Sequence, residues 1–248
     1  MTHDFYAGGA GDRLVDPDLY PPRIHELVGE EAALLDALPP GLGRLVEVGS
    51  MEGLHLDWAV ARRTGYLGLD IVERYVRAGR RRIADLGLPP ARYGFRLCGA
   101  EHIARLGLSS EGGDLAFFPF NSFGNITDLA GAVNGLAAAR LPFVISSYQV
   151  SAEATRHREE YYRACRYRDV AVERDDRGVR FTSPDGLDTI AYDPGFLVEV
   201  FAARGVEVRP VEFAEIGLAY CTPGLAEPLR AAAGLPESTV RTGPSHEA

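Results

Sequence analysis

Cysteine is scarce and poorly placed for pairing. Cys98, Cys165 and Cys221 are scattered and odd in number, and no C-x-x-C pair occurs. That argues against a disulfide framework and against a structural zinc site. No stretch approaches the ~20 continuous apolar residues of a membrane span. Met1 to Tyr20 lacks the basic-then-apolar pattern of a signal peptide, so a cytoplasmic protein without membrane attachment is expected. Positive charge is in deficit, with a net charge of −9. Such a surface repels phosphate backbones, and no nucleic-acid partner is expected. Arg74, Arg77, Arg80, Arg81 and Arg82 run against that balance, but they spread around one predicted helix as a solvated face does. No His/Asp/Glu cluster has the ligand spacing of a magnesium site, so no metal is expected. A Gly-x-Ser-x-Gly nucleophile elbow, a Walker loop and internal repeats are also missing.

The most informative stretch that is present runs from Leu45 to His55, LVEVGSMEGLH. Leu45 to Val48 reads as a short buried strand carrying a carboxylate, Glu47. Gly49 and Gly53 follow, then a helical pattern through Trp58 and Val60. A strand, a glycine turn and a helix start together make a site for a small polar ligand, because backbone N–H groups point out of the helix and glycine permits close approach. One β-α-β unit later, Tyr66 to Leu69 reads as a second strand closed by Asp70. A carboxylate there commonly takes two ribose hydroxyls.

The rest of the 248 residues suits one domain with additions. Residues 1–22 lack periodicity and hold Phe5, Tyr6 and Tyr20. They read either as a mobile arm or as a lid. Arg23 to Leu38 is an amphipathic helix stopped by Pro39-Pro40-Gly41. Strands at Tyr93–Leu97, Asp114–Phe118 and Pro142–Ser147 alternate with helices at 72–86 and 128–140, which implies a parallel sheet covered on both faces. A helix over 152–165 precedes three short strands with turns at 175–178 and 183–186, an antiparallel insertion within about 166–192. Asp193-Pro194 caps another helix. Val206–Phe213 and Gly217–Cys221 are the last strands. Residues 222–248 read as a polar tail, with its last ten or so disordered. The expected fold is α/β, Rossmann-like and doubly wound: a mostly parallel seven-stranded sheet, a C-terminal antiparallel hairpin and the insertion after strand 5. The divisions are an N-terminal arm and helix (1–41), a ligand-binding domain (42–221) and the tail (222–248).

The dinucleotide pattern G-x-G-x-x-G fails here, because the glycines run G-x-x-x-G. Glu47, Gly49, Gly53 and the strand-closing Asp70 resemble instead the class I S-adenosylmethionine (SAM)-dependent methyltransferases, whose usual form is acid-x-Gly-x-Gly-x-Gly. Met51 stands where the middle glycine would be. The resemblance covers about 42–221. It implies SAM as cofactor and S-adenosylhomocysteine (SAH) as product. It assigns Glu47, Gly49, Ser50 and Gly53 to the methionine end, Asp70 to the ribose, and Ile71 to the adenine face. In the family the turn after strand 3 meets the adenine, often as Gly-Asp-Ala. Here Gly99 takes the acid's place, Ala100 and Glu101 lie at the adenine edge, and Glu101 could supply the missing carboxylate. A simple helix cap is the other reading of that turn. Tyr6 belongs to the lid that often folds over the cofactor. Phe120 offers a ring face to a sulfonium, and Asn121, a donor and an acceptor, sits near the reaction centre.

Methyl transfer from a sulfonium is a one-step displacement, so alignment and exclusion of water supply much of the acceleration. Where the acceptor needs a base, Tyr148, His157, Tyr161 and Tyr162 follow strand 5 within reach of it. The expected partner is a small-molecule acceptor with an aromatic or apolar part, the protein being a monomer or homodimer. Two other readings stand beside this one: a cyclase or isomerase that uses the bound sulfonium without transferring it, and a non-catalytic binding subunit.

Overall fold

Four of the five central parallel strands are apolar runs with both faces covered. In the computed structural model, which describes residues 2–235, β1 (Arg44–Val48), β2 (Gly65–Asp70), β4 (Asp114–Phe118) and β5 (Phe143–Tyr148) are buried almost throughout. Such strands need helices on both sides. These are α3 (Leu56–Ala61), α4 (Glu73–Asp85), α5 (Leu129–Ala139) and α7 (Pro194–Ala202), together with α2 (Pro22–Asp36). With β3 (Tyr93–Leu97), β9 (Arg209–Phe213) and β10 (Gly217–Cys221) the strands form one seven-stranded sheet in the order β3-β2-β1-β4-β5-β10-β9. Only β10 runs against its neighbours. The order reverses between β1 and β4, and a crevice opens at such a switch point beyond the strands' C-terminal ends. Arg44 and Asp114 brace β1 against β4 at the opposite edge, through two hydrogen bonds of 2.9 Å.

Local chemistry sets the boundaries. Asp128, Ser151 and Asp193 cap α5, α6 (Ala152–Ala164) and α7 with their side chains. Between α6 and α7 lies the insertion, a separate antiparallel sheet of β6 (Ala171–Asp175), β7 (Gly178–Thr182) and β8 (Asp188–Tyr192). β6 is exposed throughout, while β7 and β8 turn apolar residues inward.

Two segments differ from a featureless reading. Residues 2–19 are folded: α1 (Thr2–Ala7) and two 3₁₀ turns lie against the body. The carbonyls of Leu14 and Ala10 accept from the Tyr161 and Tyr167 hydroxyls, and the Tyr6 carbonyl and Asp12 accept from Arg74. The C-terminal stretch read as tail carries α8 (Pro223–Ala232), which buries Leu225, Ala226 and Leu229 against the hairpin and α2. The spacing of those three residues is the helical signal that its Gly and Pro content obscured. The disorder expected at the end of the chain concerns 236–248, outside the described residues. The arginine-rich helix presents the expected solvated face, with Arg77, Arg80 and Arg81 exposed and Arg74 and Arg82 half-buried, and its arginines also make local bonds. Arg80 donates to the Phe95 carbonyl, Arg82 to the Gly53 carbonyl, and Arg77 pairs with Glu73.

Candidate active site

A cavity of about 490 Å³ occupies the switch-point crevice. One end is formed by the turns after β1, β2 and β3, with Gly49, Asp70, Ile71, Gly99, Ala100 and Glu101 at the wall. The other is aromatic, with Phe120 from the turn after β4, Tyr148 from β5, and Tyr161 and Tyr162 from α6. His3, Tyr6, Leu14 and Val15 of the folded arm roof it.

The first end is held by its backbone. Gly49 has φ +78°, and a Cβ there would come within 2.8 Å of Ser122, whose hydroxyl donates to the Val48 carbonyl. Glycine is therefore required at this place both by conformation and by space. Met51 adopts φ +47°, a left-handed conformation natural to the glycine it replaces and unfavourable for methionine. Asp70 stabilises it by accepting from the Met51 amide at 2.9 Å, while its other oxygen accepts from Val72 at 2.8 Å. A carboxylate offers about four lone-pair sites, so Asp70 keeps acceptor capacity toward the cavity. Burial pushes its carboxyl above the ordinary value, and the Val72 and Met51 amides pull the other way. Beyond β3, the Glu101 carboxylate lies where a side chain on Gly99 would sit.

The aromatic end rests on a strained turn. Phe120 and Asn121 are consecutive left-handed residues, φ +43° and +60°. The Phe120 amide donates to Glu31 at 2.7 Å, and the Asn121 amide to the Ser146 carbonyl. Strain of this kind persists where surrounding contacts over-determine it. The Asn121 side chain is fully engaged: it donates to Thr189 and the Ile190 carbonyl and accepts from Ser147 at 2.6 Å. It lines the cavity as a strut joining β4, β5 and β8. The Phe120 ring lies 5.6 to 6.1 Å from those of Tyr20, Tyr161 and Tyr148.

Four residues drawn to the site by sequence lie off its wall. Glu47 is 0% exposed, and its carboxylate is occupied by the Tyr66 hydroxyl and by His55, whose Nδ1 approaches to 2.5 Å. The side chain of a β1 residue that faces α3 cannot also face the crevice. Ser50 is buried below the turn against Gly68. Gly53, at φ +98°, packs against Leu56 and Phe95. His157 is 8% exposed and faces Glu153, Arg156 and Glu160 of its own helix rather than the cavity. Tyr161 lines the cavity, but its hydroxyl holds the arm. Tyr148 lines it with a hydroxyl that has no hydrogen-bond partner among the described residues, and burial pushes its pKa far up.

Sequence reasoning passed over His55, Glu31 and Arg158. His55 sits between Glu47 and Glu31, 3.6 Å from the latter. Burial opposes a charge on its ring, but the two carboxylates outweigh it and raise the pKa. Burial likewise raises that of Glu31. This chain of groups ties the turn after β1 to the turn after β4, and nothing in sequence spacing joins residues 31, 47 and 55. Arg158 did carry a signal, four residues from both Ala154 and Tyr162 on the buried face of α6.

No family model and no curated sequence matches the chain. Solved structures do. The PH0226 protein of Pyrococcus horikoshii superposes with a TM-score of 0.60 at 12% identity, over 83% of this chain and 93% of its own. In this chain the strand order is β3-β2-β1-β4-β5-β10-β9, with one reversed strand next to the edge. This is the class I methyltransferase fold. A SAM-dependent methyltransferase from Aquifex aeolicus is similar over 82% of this chain and 94% of its own, with a TM-score of 0.50 and 17% identity. The glycopeptide N-methyltransferase MtfA, solved with SAM, is similar over 79% and 92%, with a TM-score of 0.51 and 13% identity. Beside the seven-stranded sheet, this chain carries a folded arm and the β6–β8 sheet. Among the described residues no group of three or more His, Cys, Asp or Glu could hold a metal ion, and no helix is long and apolar enough to cross a membrane.

Proposed function

We propose that the protein is a SAM-dependent methyltransferase acting on a small molecule by direct displacement. One observation carries this reading. A single cavity carries both a glycine turn with a strand-closing carboxylate and an aromatic wall, which we read as places for two ligands, cofactor and acceptor. Its volume falls in the ordinary range for small-molecule sites. The donor set fits the cofactor: Gly49 leaves room at the methionine end, Asp70 has acceptor capacity for the ribose, Ile71 is an apolar face for the adenine, and Ala100 and Glu101 edge it. Tyr6 closes from above and Phe120 from the side. Glu47, Ser50 and Gly53 act from beneath, by shaping the turn.

When bound, SAM would supply an electrophilic methyl group. The chain's own residues hold the acceptor in line and keep water out. Asn121 contributes by rigidity. Tyr148 keeps its proton at neutral pH, since burial raises its pKa, so it orients an acceptor through a neutral hydroxyl rather than removing a proton as phenolate. An acceptor with a flat part suits the aromatic end. That MtfA, of the same fold, is named for a glycopeptide supports acceptors outside nucleic acid.

Calorimetric titration with SAM, SAH and NADH tests the reading. Micromolar binding of SAM and SAH without an NADH signal is the expected result. Absence of both sulfur ligands would remove the proposal. A gain of one methyl in product mass then separates transfer from a cyclase or isomerase.

A further inference from the structure

Arg158 is a buried cation with no part in the cofactor contacts proposed for the cavity. It lies in the middle of α6 and is 0% exposed. Its guanidinium donates to the Val179 carbonyl at 3.0 Å and, at 3.4 Å, to the Tyr162 hydroxyl, while Nε has no partner among the described residues. The rings of Phe181, Tyr148 and Tyr162 stand 4.6, 4.9 and 5.8 Å from its central carbon. Among the described residues no carboxylate pairs with it. Glu31, the acid that acts with Arg158 on Tyr148, is committed to His55 and the Phe120 amide. Ring faces recover part of the cost of taking a cation out of water. A buried charge without a counter-charge remains unfavourable all the same.

Two of those three rings are also cavity wall. The Tyr162 hydroxyl accepts from Arg158, so its own proton is left for donation onward. The Tyr148 hydroxyl is without a partner among the described residues. Two phenolic donors with one cation behind them therefore bound the acceptor end.

We infer that this end binds an acceptor bearing a carboxylate, held by the Tyr148 and Tyr162 hydroxyls and counter-charged by Arg158 acting through Tyr162. The inference rests on the two-ligand reading of the cavity given above. Hydrogen bonds to an ionised group are the stronger kind, and low local dielectric strengthens them further. A neutral acceptor of the same shape leaves the guanidinium uncompensated. Arg158 is a positioning residue, separated from the ligand by the tyrosine rings.

The test is selectivity between an acid and its amide. SAH is titrated first. The full chain, with SAH if it binds and without it otherwise, is then titrated with benzoate, 4-hydroxybenzoate and phenylacetate, and with the amide of each. At least one acid should bind tenfold or more tightly than its amide. That ratio should fall below threefold in Tyr162→Phe and in Arg158→Met. A ratio cancels general loosening of the fold, and Tyr162→Phe keeps the ring in place. Equal binding of acids and amides, no binding of any acid, or an unchanged ratio in Tyr162→Phe overturns the inference. Failure of SAH alone defeats the methyltransferase reading and leaves the carboxylate site to be judged on its own ratio.

Discussion

Replacing Glu47 with Gln separates two accounts of the residue that dominates the β1 motif. By resemblance, Glu47 meets the cofactor; by its contacts, it meets His55 and Tyr66. Gln preserves the shape and removes the charge. The Tyr66 hydroxyl can still donate to the amide oxygen, but the His55 ring loses its close carboxylate and keeps only Glu31, at 3.6 Å. Breaking a buried ion pair by removing one partner costs about 3–5 kcal/mol. His55 can escape the worst of this by shedding its proton, so the lower end, about 3 kcal/mol, is expected. For a domain of this size that is a fall in Tm of about 6–12 °C. The pH dependence has a definite sign. Glu47 and Glu31 raise the folded-state pKa of His55 above its unfolded value of about 6.5. The stabilisation is therefore fully present below about pH 6.5 and is lost as pH rises through the folded-state pKa. The gap in Tm between wild type and Glu47→Gln should be widest near pH 6 and narrow toward pH 9. Scanning calorimetry across that range measures it, and SAH titration well below the Tm measures the cofactor. A variant that melts with wild type but binds SAH more than tenfold more weakly would refute the reasoning and return Glu47 to the ligand.

The remaining variants probe the cavity wall. Asp70→Ala should raise the SAH dissociation constant at least tenfold, about 1.4 kcal/mol, and lower the Tm, because the Met51 and Val72 amides lose their acceptor; unchanged SAH binding would exclude Asp70 from the ribose. Asn121→Ala leaves several buried polar groups unpaired, at about 1–3 kcal/mol each, so thermal unfolding should move down markedly and turnover should fall more than SAH affinity. An unaltered Tm would show that Asn121 is no strut. Met51→Gly relieves a left-handed methionine worth about 1–2 kcal/mol but loses about 2 kcal/mol of buried side chain and gains chain entropy on unfolding. A small net loss of stability with SAH binding at least as tight as wild type is expected, and weaker SAH binding would argue that the Met51 side chain itself holds the ligand.

Periodicity and punctuation carried most of the architecture. Apolar runs at 45–48, 66–69 and 114–118, the helix over 128–140, the cap Asp193, and the turns at 175–178 and 183–186 are local signals, and each corresponds to an observed feature. The helix over 223–232 was hidden by Gly and Pro, although its apolar spacing was present. Residues on loops at the C-terminal edge of the sheet share one cavity, because a doubly wound sheet brings those loops together whatever their details. Gly49, Asp70, Ala100, Glu101, Phe120 and Asn121 are therefore neighbours in one wall.

What the chain alone determined is the order of elements, the sheet edge at which the crevice opens and the residue types gathered there. Only the tertiary structure decided which way each side chain faces and which charges meet. Glu47 turns under the sheet to His55, Asn121 becomes a strut between three strands, His157 faces its own helix, and Arg158 is buried without a carboxylate among the described residues. These outcomes depend on contacts between residues as much as 69 positions apart, such as Asn121 with Ile190. Element formation is governed by neighbours within a few residues, whereas the orientation and pairing of a buried polar group are governed by whatever the completed fold packs against it.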